Sequence, residues 1–457
     1  MSPVDLIEEP KAKTAAENPR TPMHESVETD ATGATLAGMR SAEDLIAPGV
    51  EDVVEASVGH VKPHGSDPVS DQTMVLNMGP QHPSTHGVLR LVIELDGETI
   101  VSLAPDIGYL HTGIEKTCEA KFYNQVTPLT DRIDYLAPMI NNTAYALAVE
   151  KLLDLEIPPR AQWLRVLFNE LTRINSHLVW LGTHAMDIGA LTVFLYCFRE
   201  REELLRIFEA VSGQRMMTSY IRIGGVSLDL PIGLLDKIKA FLKSFPSKID
   251  EYEGLLNGNP IWQGRLKGVG YLSYENAIAL GVTGPPARAS GVDFDVRRDM
   301  PYSGYEHFKF DVPVSKDGDV WARYILRMQE MRESVKICLQ AIDGLPEGRY
   351  VADAPKIILP DREQMKTQME SLIHHFKIVT EGYQVPAGEA TSSVEAGHGM
   401  MNYYVVSDGT AKPYRVHVRT ADFCNLQSLE VMCKGSLIAD VVAVIGSIDI
   451  VLGAIDR

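Results

Sequence analysis

The sequence predicts a mainly α protein with a small N-terminal β region, an α+β arrangement. Three observations lead there. One alternating apolar stretch, Val88 to Leu95, stands near the start of the patterned chain; helical periodicity dominates from Asp131 to about Arg215 and returns at Leu234, Val320 and Asp361; the first seventy residues carry neither pattern. With 457 residues the chain is too long for one small core, so two or three packed regions are expected.

Residues 1–70 hold 13 acidic and 5 basic residues and little periodicity, and residues 1–72 read as a disordered acidic tail. Their acidity excludes an Arg-rich transit peptide, and they lack the apolar core of a secretion signal. In the remainder, Leu89, Leu91, Ile93 and Leu95 share one face of a strand, and Asp96-Gly97 before Glu98 to Val101 reads as a type I′ hairpin. This gives a β region over residues 73–125. Tyr135, Met139, Asn142, Ala146 and Val149 form a helical stripe that Asp131 can cap and that stops at Ile157-Pro158-Pro159. Further helices are expected from about Arg160 to Ala185 and from about Leu191 to Ser212, completing a helical core over 126–220. The apolar start of the third, Leu191 to Phe198, reads as buried helix because it is too short for a membrane. Residues 221–320 are mixed, with a helix over Leu234 to Phe245 and the Gly/Pro/Arg-rich stretch Gly281 to Tyr302, irregular backbone of a kind that is often functional. The last region, 321–457, opens on a helix from Val320 to Ile342 and holds an amphipathic one from Asp361 to Phe376.

The composition excludes several functions. A formal charge of −18 opposes nucleic acid binding, which needs a basic face. The best apolar run, Val441 to Ile455, is too short to span a bilayer and is cut by Asp449, so any membrane association is peripheral. Five scattered cysteines with no C-x-x-C fit buried free thiols in a reducing compartment, and neither a metal nor a cluster bound by this chain. No G-x-G-x-x-G follows a strand, which leaves no dinucleotide fingerprint.

Gly79 to Leu91, "GPQHPSTHGVLRL", places His82 and His86 four apart, yet Pro80, Pro83 and Gly87 forbid the helix on which that spacing would bind a metal. One reading is an ordinary loop. The other has Ser84-Thr85-His86-Gly87 project His86 from a sheet edge as a proton donor, with a carboxylate to raise its pKa, for which Asp187 in "THAMDIGA" is a candidate. By pattern alone Tyr135, in "LTDRIDYLAP", is a core tyrosine with a satisfied hydroxyl.

The stretches "NMGPQHPSTHGVLRL", "GYLHTGIEK", "DRIDYLAPM", "PPRAQWLRVLFNELTRI", "THAMDIGA", "GPPARASGVDFDVR", "GYQVPAGE" and "ADVVAVIGSIDIVLGAIDR" run in order from Asn77 to Arg457. Through them the chain resembles the hydrogenase-like large-subunit family of the peripheral arm of respiratory complex I, the proton-translocating NADH:quinone oxidoreductase. The resemblance implies a nickel-iron hydrogenase large-subunit-like fold without the metal site. Asp134 and Ala137 stand in the frame where a hydrogenase has its first thiolate pair, and Val451 and Ala454 in the frame of the second. Without thiolates a soft-metal centre cannot form.

The same resemblance assigns the quinone headgroup contacts to His86 and Tyr135, with Asp187 as the carboxylate partner of His86 and His82 supporting the turn. It implies a quinone, ubiquinone or menaquinone, as substrate. NAD, FMN and the iron-sulfur clusters would reside on partner subunits. The implied partners are the subunit carrying the terminal four-iron four-sulfur cluster, other peripheral-arm subunits and the membrane-arm quinone-channel subunit, on the cytoplasmic side of a bacterial inner membrane. Two positions depart from the family: Met217 follows Arg215-Met216 where many relatives have a histidine beside the terminal cluster, and Thr112 replaces an arginine of mitochondrial relatives. The competing readings are a catalytic hydrogenase-type large chain, disfavoured by the missing cysteine pairs, a scaffold without chemistry, and the same quinone site fed by ferredoxin or another donor.

Overall fold

The alternation of Leu89, Leu91, Ile93 and Leu95 becomes the buried face of an antiparallel sheet in the order β1 (Met74–Met78), β2 (Arg90–Asp96), β3 (Thr99–Asp106). The computed structural model describes residues 73–457, and the expected acidic tail lies outside the described residues. Asp96 pairs with Thr99, so Gly97 and Glu98 form the corner, and of the two only Gly97 has positive φ, at 61°. That is the requirement of a type II′ turn rather than the expected type I′. β3 also runs on to Asp106, beyond Val101.

Helices α1 (Ile114–Glu119), α2 (Tyr123–Ile133) and α3 (Pro138–Leu152) follow. The apolar stripe predicts Tyr135 inside a helix capped by Asp131, and the structure corrects this. Pro138 disfavours helical geometry at Ala137 before it, so the chain leaves α2 at Ile133 and restarts at Pro138, with Tyr135 in the break. Asp134, not Asp131, receives the free amides there: its Oδ1 accepts Leu136 N and Ala137 N, each at 3.1 Å. Asp131 instead accepts Ser219 Oγ at 2.6 Å.

α4 (Pro159–Asp187) and α5 (Leu191–Ser212) form as the periodicity predicts. The first turns of α5 differ in burial, because Leu191 and Leu195 face outward. After a two-residue ladder of β4 (Ile221–Arg222) with β5 (Gly225–Val226), α6 (Leu234–Leu256) continues through Pro246, past the predicted end at Phe245. Phe245, Ile249, Tyr252 and Leu256 lie on one buried stripe, and their packing holds the helix together across the proline. α7 (Val320–Asp343) then packs along α4.

Two features of the last region depart from the pattern. The amphipathic stretch near Phe376 is broken at Gln368, and α8 (Met369–Thr380) turns Met369, Leu372, Ile373, Phe376 and Val379 outward, burying only Ile378. A second antiparallel sheet, β6 (Gly388–Glu395), β7 (Met400–Ser407) and β8 (Arg415–Arg419), packs on α3, its inner face supplied by Val394, Met401, Tyr403, Val405, Val416 and Val418. The architecture is therefore mixed α and β with helices dominant. Helices α9 (Ala421–Gln427), α10 (Ile438–Ile448) and α11 (Leu452–Asp456) finish the chain.

α4 has 29 residues, about 44 Å at a rise of about 1.5 Å each, and contacts α3, α5, α7 and α10. A helix enclosed in this way would ordinarily be apolar, but α4 carries Arg165, Glu170, Arg173 and His177 into the core. Each is paired. Arg165 grips Glu150 at 2.5 Å. Glu170 faces Arg173 and Arg297, both at 3.2 Å, and accepts Tyr305 Oη at 2.7 Å and Ser334 Oγ at 2.6 Å. His177 lies 2.9 Å from Glu330, which Arg288 reaches at 2.6 Å while also holding Glu395 at 2.8 Å. The stretch Gly281 to Tyr302, expected to be irregular, holds two short helices, Pro285–Ala289 and Val296–Asp299, and these deliver two guanidinium groups, Arg288 and Arg297, to carboxylates that water cannot reach.

Removing one partner of such a network leaves charge unpaired in a dry interior, which costs about 3–5 kcal/mol. Glu170→Ala should therefore lower the thermal midpoint by many degrees. Burial raises the Glu170 carboxyl, but Arg173 and Arg297 override it and hold it at about 2. A depressed folded value means that the stabilisation is present above the unfolded value of about 4.3 and is lost as pH falls toward 2. Denaturation of Glu170→Ala against wild type at pH 7 and at pH 3 should show the gap narrowing at the lower pH.

Candidate functional site

The histidine loop is a short 3-10 turn, Pro83–Thr85, between two histidines with different work. His82 caps it, its Nδ1 accepting Ser84 N at 3.2 Å. Thr85, fully buried, ties the turn with its Oγ1 to Pro80 O at 3.2 Å and His82 O at 3.1 Å. His86 then takes a left-handed conformation, φ 55°, that swings its ring out of the turn. The loop packs on α10, whose end carries Asp449.

His86 is exposed, yet the protein packed about it desolvates the ring enough to lower its pKa below the usual imidazole range, with Asp449 pulling the other way. Asp187, the last residue of α4, is half-buried, with a carboxyl raised by burial and eased by the charge of His82.

Tyr135 lines a cavity of about 500 Å3 with Leu110, Thr112, Ile114, Thr117, Leu129, Arg132 and Gly453. Its roof is the stretch "GYLHTGIEK", pinned by Asp456, which accepts Gly108 N at 2.9 Å and Leu110 N at 2.6 Å. Its floor is where the segments Arg132–Pro138 and Asp449–Ala454 meet. A Cβ on Gly453 would lie 2.8 Å from Ile133 O and 2.9 Å from Arg132 O, so only glycine lets the two backbones approach. The Tyr135 phenol is raised by burial first and by Asp134 next, with His398 opposing, and it keeps its proton across the neutral range.

Behind this floor lies a cluster that sequence reasoning misses. His398, at the tip of the β6–β7 hairpin, is buried with its Nε2 3.3 Å from Asp134 and its Nδ1 3.1 Å from Asp449 and 3.9 Å from Asp422. Nothing in "EAGHGM" advertises such a role, because its partners are 264, 51 and 24 positions away in sequence and only the fold collects them. The donor set does not suit a soft metal: the two frames offer Asp134, Ala137, Val451 and Ala454, and among the described residues no group of three or more His, Cys, Asp or Glu is arranged to hold an ion. Burial pushes the thiols of Cys118 and Cys433 up to about 12, which keeps them protonated. The two departures sit apart: Thr112 is in the cavity wall, and Met217 is half-buried beyond α5, next to Arg215 and its partner Glu202.

Residues 187–457 match the family model described as respiratory-chain NADH dehydrogenase, 49 Kd subunit. The chain belongs to this family. Its similarity to curated members reaches well outside the matched part. It is 72% identical over 387 residues to a D-type subunit of NADH-quinone oxidoreductase from Koribacter versatilis, covering 85% of this chain and 96% of the relative. It is 65% identical over 384 residues to the D-type counterpart from Solibacter usitatus, covering 84% and 94%. Against the counterpart from Trichlorobacter lovleyi it is 56% identical over 388 residues, covering 85% and 100%. In this 49 Kd-family chain desolvation lowers the His86 imidazole and Asp449 opposes it. Its titration, followed by histidine-selective NMR, should have a midpoint below about 6.5; a higher one would mean that Asp449 outweighs burial.

Proposed function

We propose that this chain forms, with a partner subunit carrying the terminal four-iron four-sulfur cluster, the chamber in which a quinone headgroup is reduced to quinol. As a member of its family it is a subunit of NADH-quinone oxidoreductase, active only in the assembled complex. The observation that carries the proposal is the position of Tyr135, in the wall of a largely apolar cavity of about 500 Å3 at the junction of the two former thiolate frames. That volume is within the range of small-molecule pockets. The direct contact of those frames at Gly453 also supports a hydrogenase large-subunit-like fold from which the metal has gone.

Two-electron reduction of a quinone puts negative charge on both carbonyl oxygens, and a hydrogen-bond donor is wanted at each. Tyr135, still protonated, serves one. His86, which shares the influence of Asp449 with the His398 cluster, offers a neutral ring N–H to the other and is held by the turn that His82 caps. Asp187, at the end of α4, is the carboxylate we assign to the histidine loop. Electrons arrive from the partner subunit's cluster, while NAD and FMN belong to other subunits. The membrane-arm quinone-channel subunit supplies the passage for ubiquinone or menaquinone. No helix among the described residues is long and apolar enough to cross a membrane; the attachment we propose is peripheral, at the cytoplasmic side of a bacterial inner membrane. Quinol formation here would start the events coupled to proton translocation.

Tyr135→Phe in the assembled complex should lower quinone reductase turnover by about 10²-fold, the scale of a lost general acid, while NADH oxidation by ferricyanide is unchanged. Near-normal quinone reduction would reduce the chain to a scaffold.

A further inference from the structure

His398 occupies a place where neutrality is hard to sustain. The hairpin tip Ala396–Gly399 closes on itself, Ala396 N donating to Gly399 O at 2.8 Å and Gly399 N to Ala396 O at 3.2 Å. It enters the core because Gly284 and Gly399 touch through bare backbone: a Cβ on Gly284 would lie 2.4 Å from Gly399 Cα. The imidazole then meets groups from every packed element. Asp134 comes from the α2–α3 break, Ser176 Oγ from α4 at 3.3 Å from Nε2, Asp422 from α9, and Asp449 from the end of α10. Beyond Asp449 stands Arg327 of α7 at 3.7 Å, and His177 of α4 is neutralised by burial on the same side.

Three carboxylates thus converge in a dry interior, and the cations set against them are Arg327 and His398. Such an arrangement persists only if the imidazole is charged. One negative charge is still in excess, and Asp422, raised chiefly by its burial to about 6, is the group able to take up a proton. Its Oδ1 accepts Val451 N at 2.9 Å, which ties that group to the cavity floor.

We propose that His398 is a fixed imidazolium that acts as a positioning residue, holding Asp134 and Asp449 together beneath the cavity and supplying the positive charge that lets Tyr135 release its proton. The inference rests on the quinone reading above. The step concerned is one proton transfer: the phenolic O–H of Tyr135 breaks, its proton passes to a carbonyl oxygen of a quinone that has received electrons from the partner subunit's cluster, and the phenolate gains a counter-charge from His398 until it is reprotonated. Without that cation Tyr135 faces Asp134 and Asp422 alone, both of which oppose its ionisation.

The test uses the assembled complex in its native membranes with a short-chain quinone. His398→Gln should lower turnover about 10-fold or more, change KM less than about 2-fold, and make turnover fall more steeply from pH 6 to pH 8 than it does in wild type as the freed carboxylates ionise. His398→Lys, keeping the charge, should recover at least half of the turnover and the wild-type profile. Equal loss in both variants with a wild-type pH profile would reduce His398 to a structural part, and unchanged turnover in His398→Gln would also overturn the proposal. Imidazole C–H exchange read by mass spectrometry on the unmodified complex needs no variant: a His398 midpoint above about 6.5 supports the proposal, and one at or below it refutes it. Tyr135→Phe separates the two claims, since its full activity would sink the quinone reading, whereas an impaired Tyr135→Phe with an indifferent His398→Gln sinks only this inference.

Discussion

Ionised side chains can stay in a dry interior only when each has a partner at hydrogen-bond distance, and this requirement organises the molecule around α4. Arg165, Glu170 and Arg173 bring charge to the centre and His177 a buried imidazole, and each dictates what must come to meet it. The two short helices of the Gly281 to Tyr302 stretch are held in place by Arg288 and Arg297, which reach Glu330, Glu395 and Glu170. Arg173 in turn donates to the carbonyl oxygens of Glu395 at 2.6 Å and Ala396 at 2.8 Å, which fixes the hairpin whose tip is His398. The cavity floor is thus located by ion pairs several layers away from it.

Two histidines near that floor meet opposite fates for one physical reason. His86 has a single carboxylate within electrostatic reach and loses more by desolvation than it gains; His398 has three and is raised well above the usual imidazole range despite deeper burial. The number of facing carboxylates, not the depth, decides which ring is charged. A lowered imidazole in the loop and a raised one behind Tyr135 thus differ by the carboxylates set around them.

Local pattern makes much of this legible. The period-2 face of β2 and the 3.6-period stripes of α4, α5 and α7 can be read because burial on one side writes itself into neighbouring residues. His86, Tyr135 and Asp187 stand out through the motifs around them, and the structure adds what each is near. The misses have causes too. Pro246 resembles a helix end, but long-range packing of Phe245 and Ile249 overrides it. The β6–β8 sheet escapes a reading by pattern since β6 is mostly polar and β7 is a nearly continuous apolar run, although the burial of β7 alternates residue by residue. His398 is invisible in the sequence because a residue's charge state depends on partners that only tertiary contacts assemble.

The outward stripe on α8 has a practical corollary for anyone handling the chain alone. Met369, Leu372, Phe376 and Val379 expose a band of hydrocarbon along one helix, and water resists wetting a continuous surface of that kind. Colloidal behaviour would then set the working limit before unfolding does: the free polypeptide should self-associate as it is concentrated, and detergent or co-expression would be needed to keep it monodisperse.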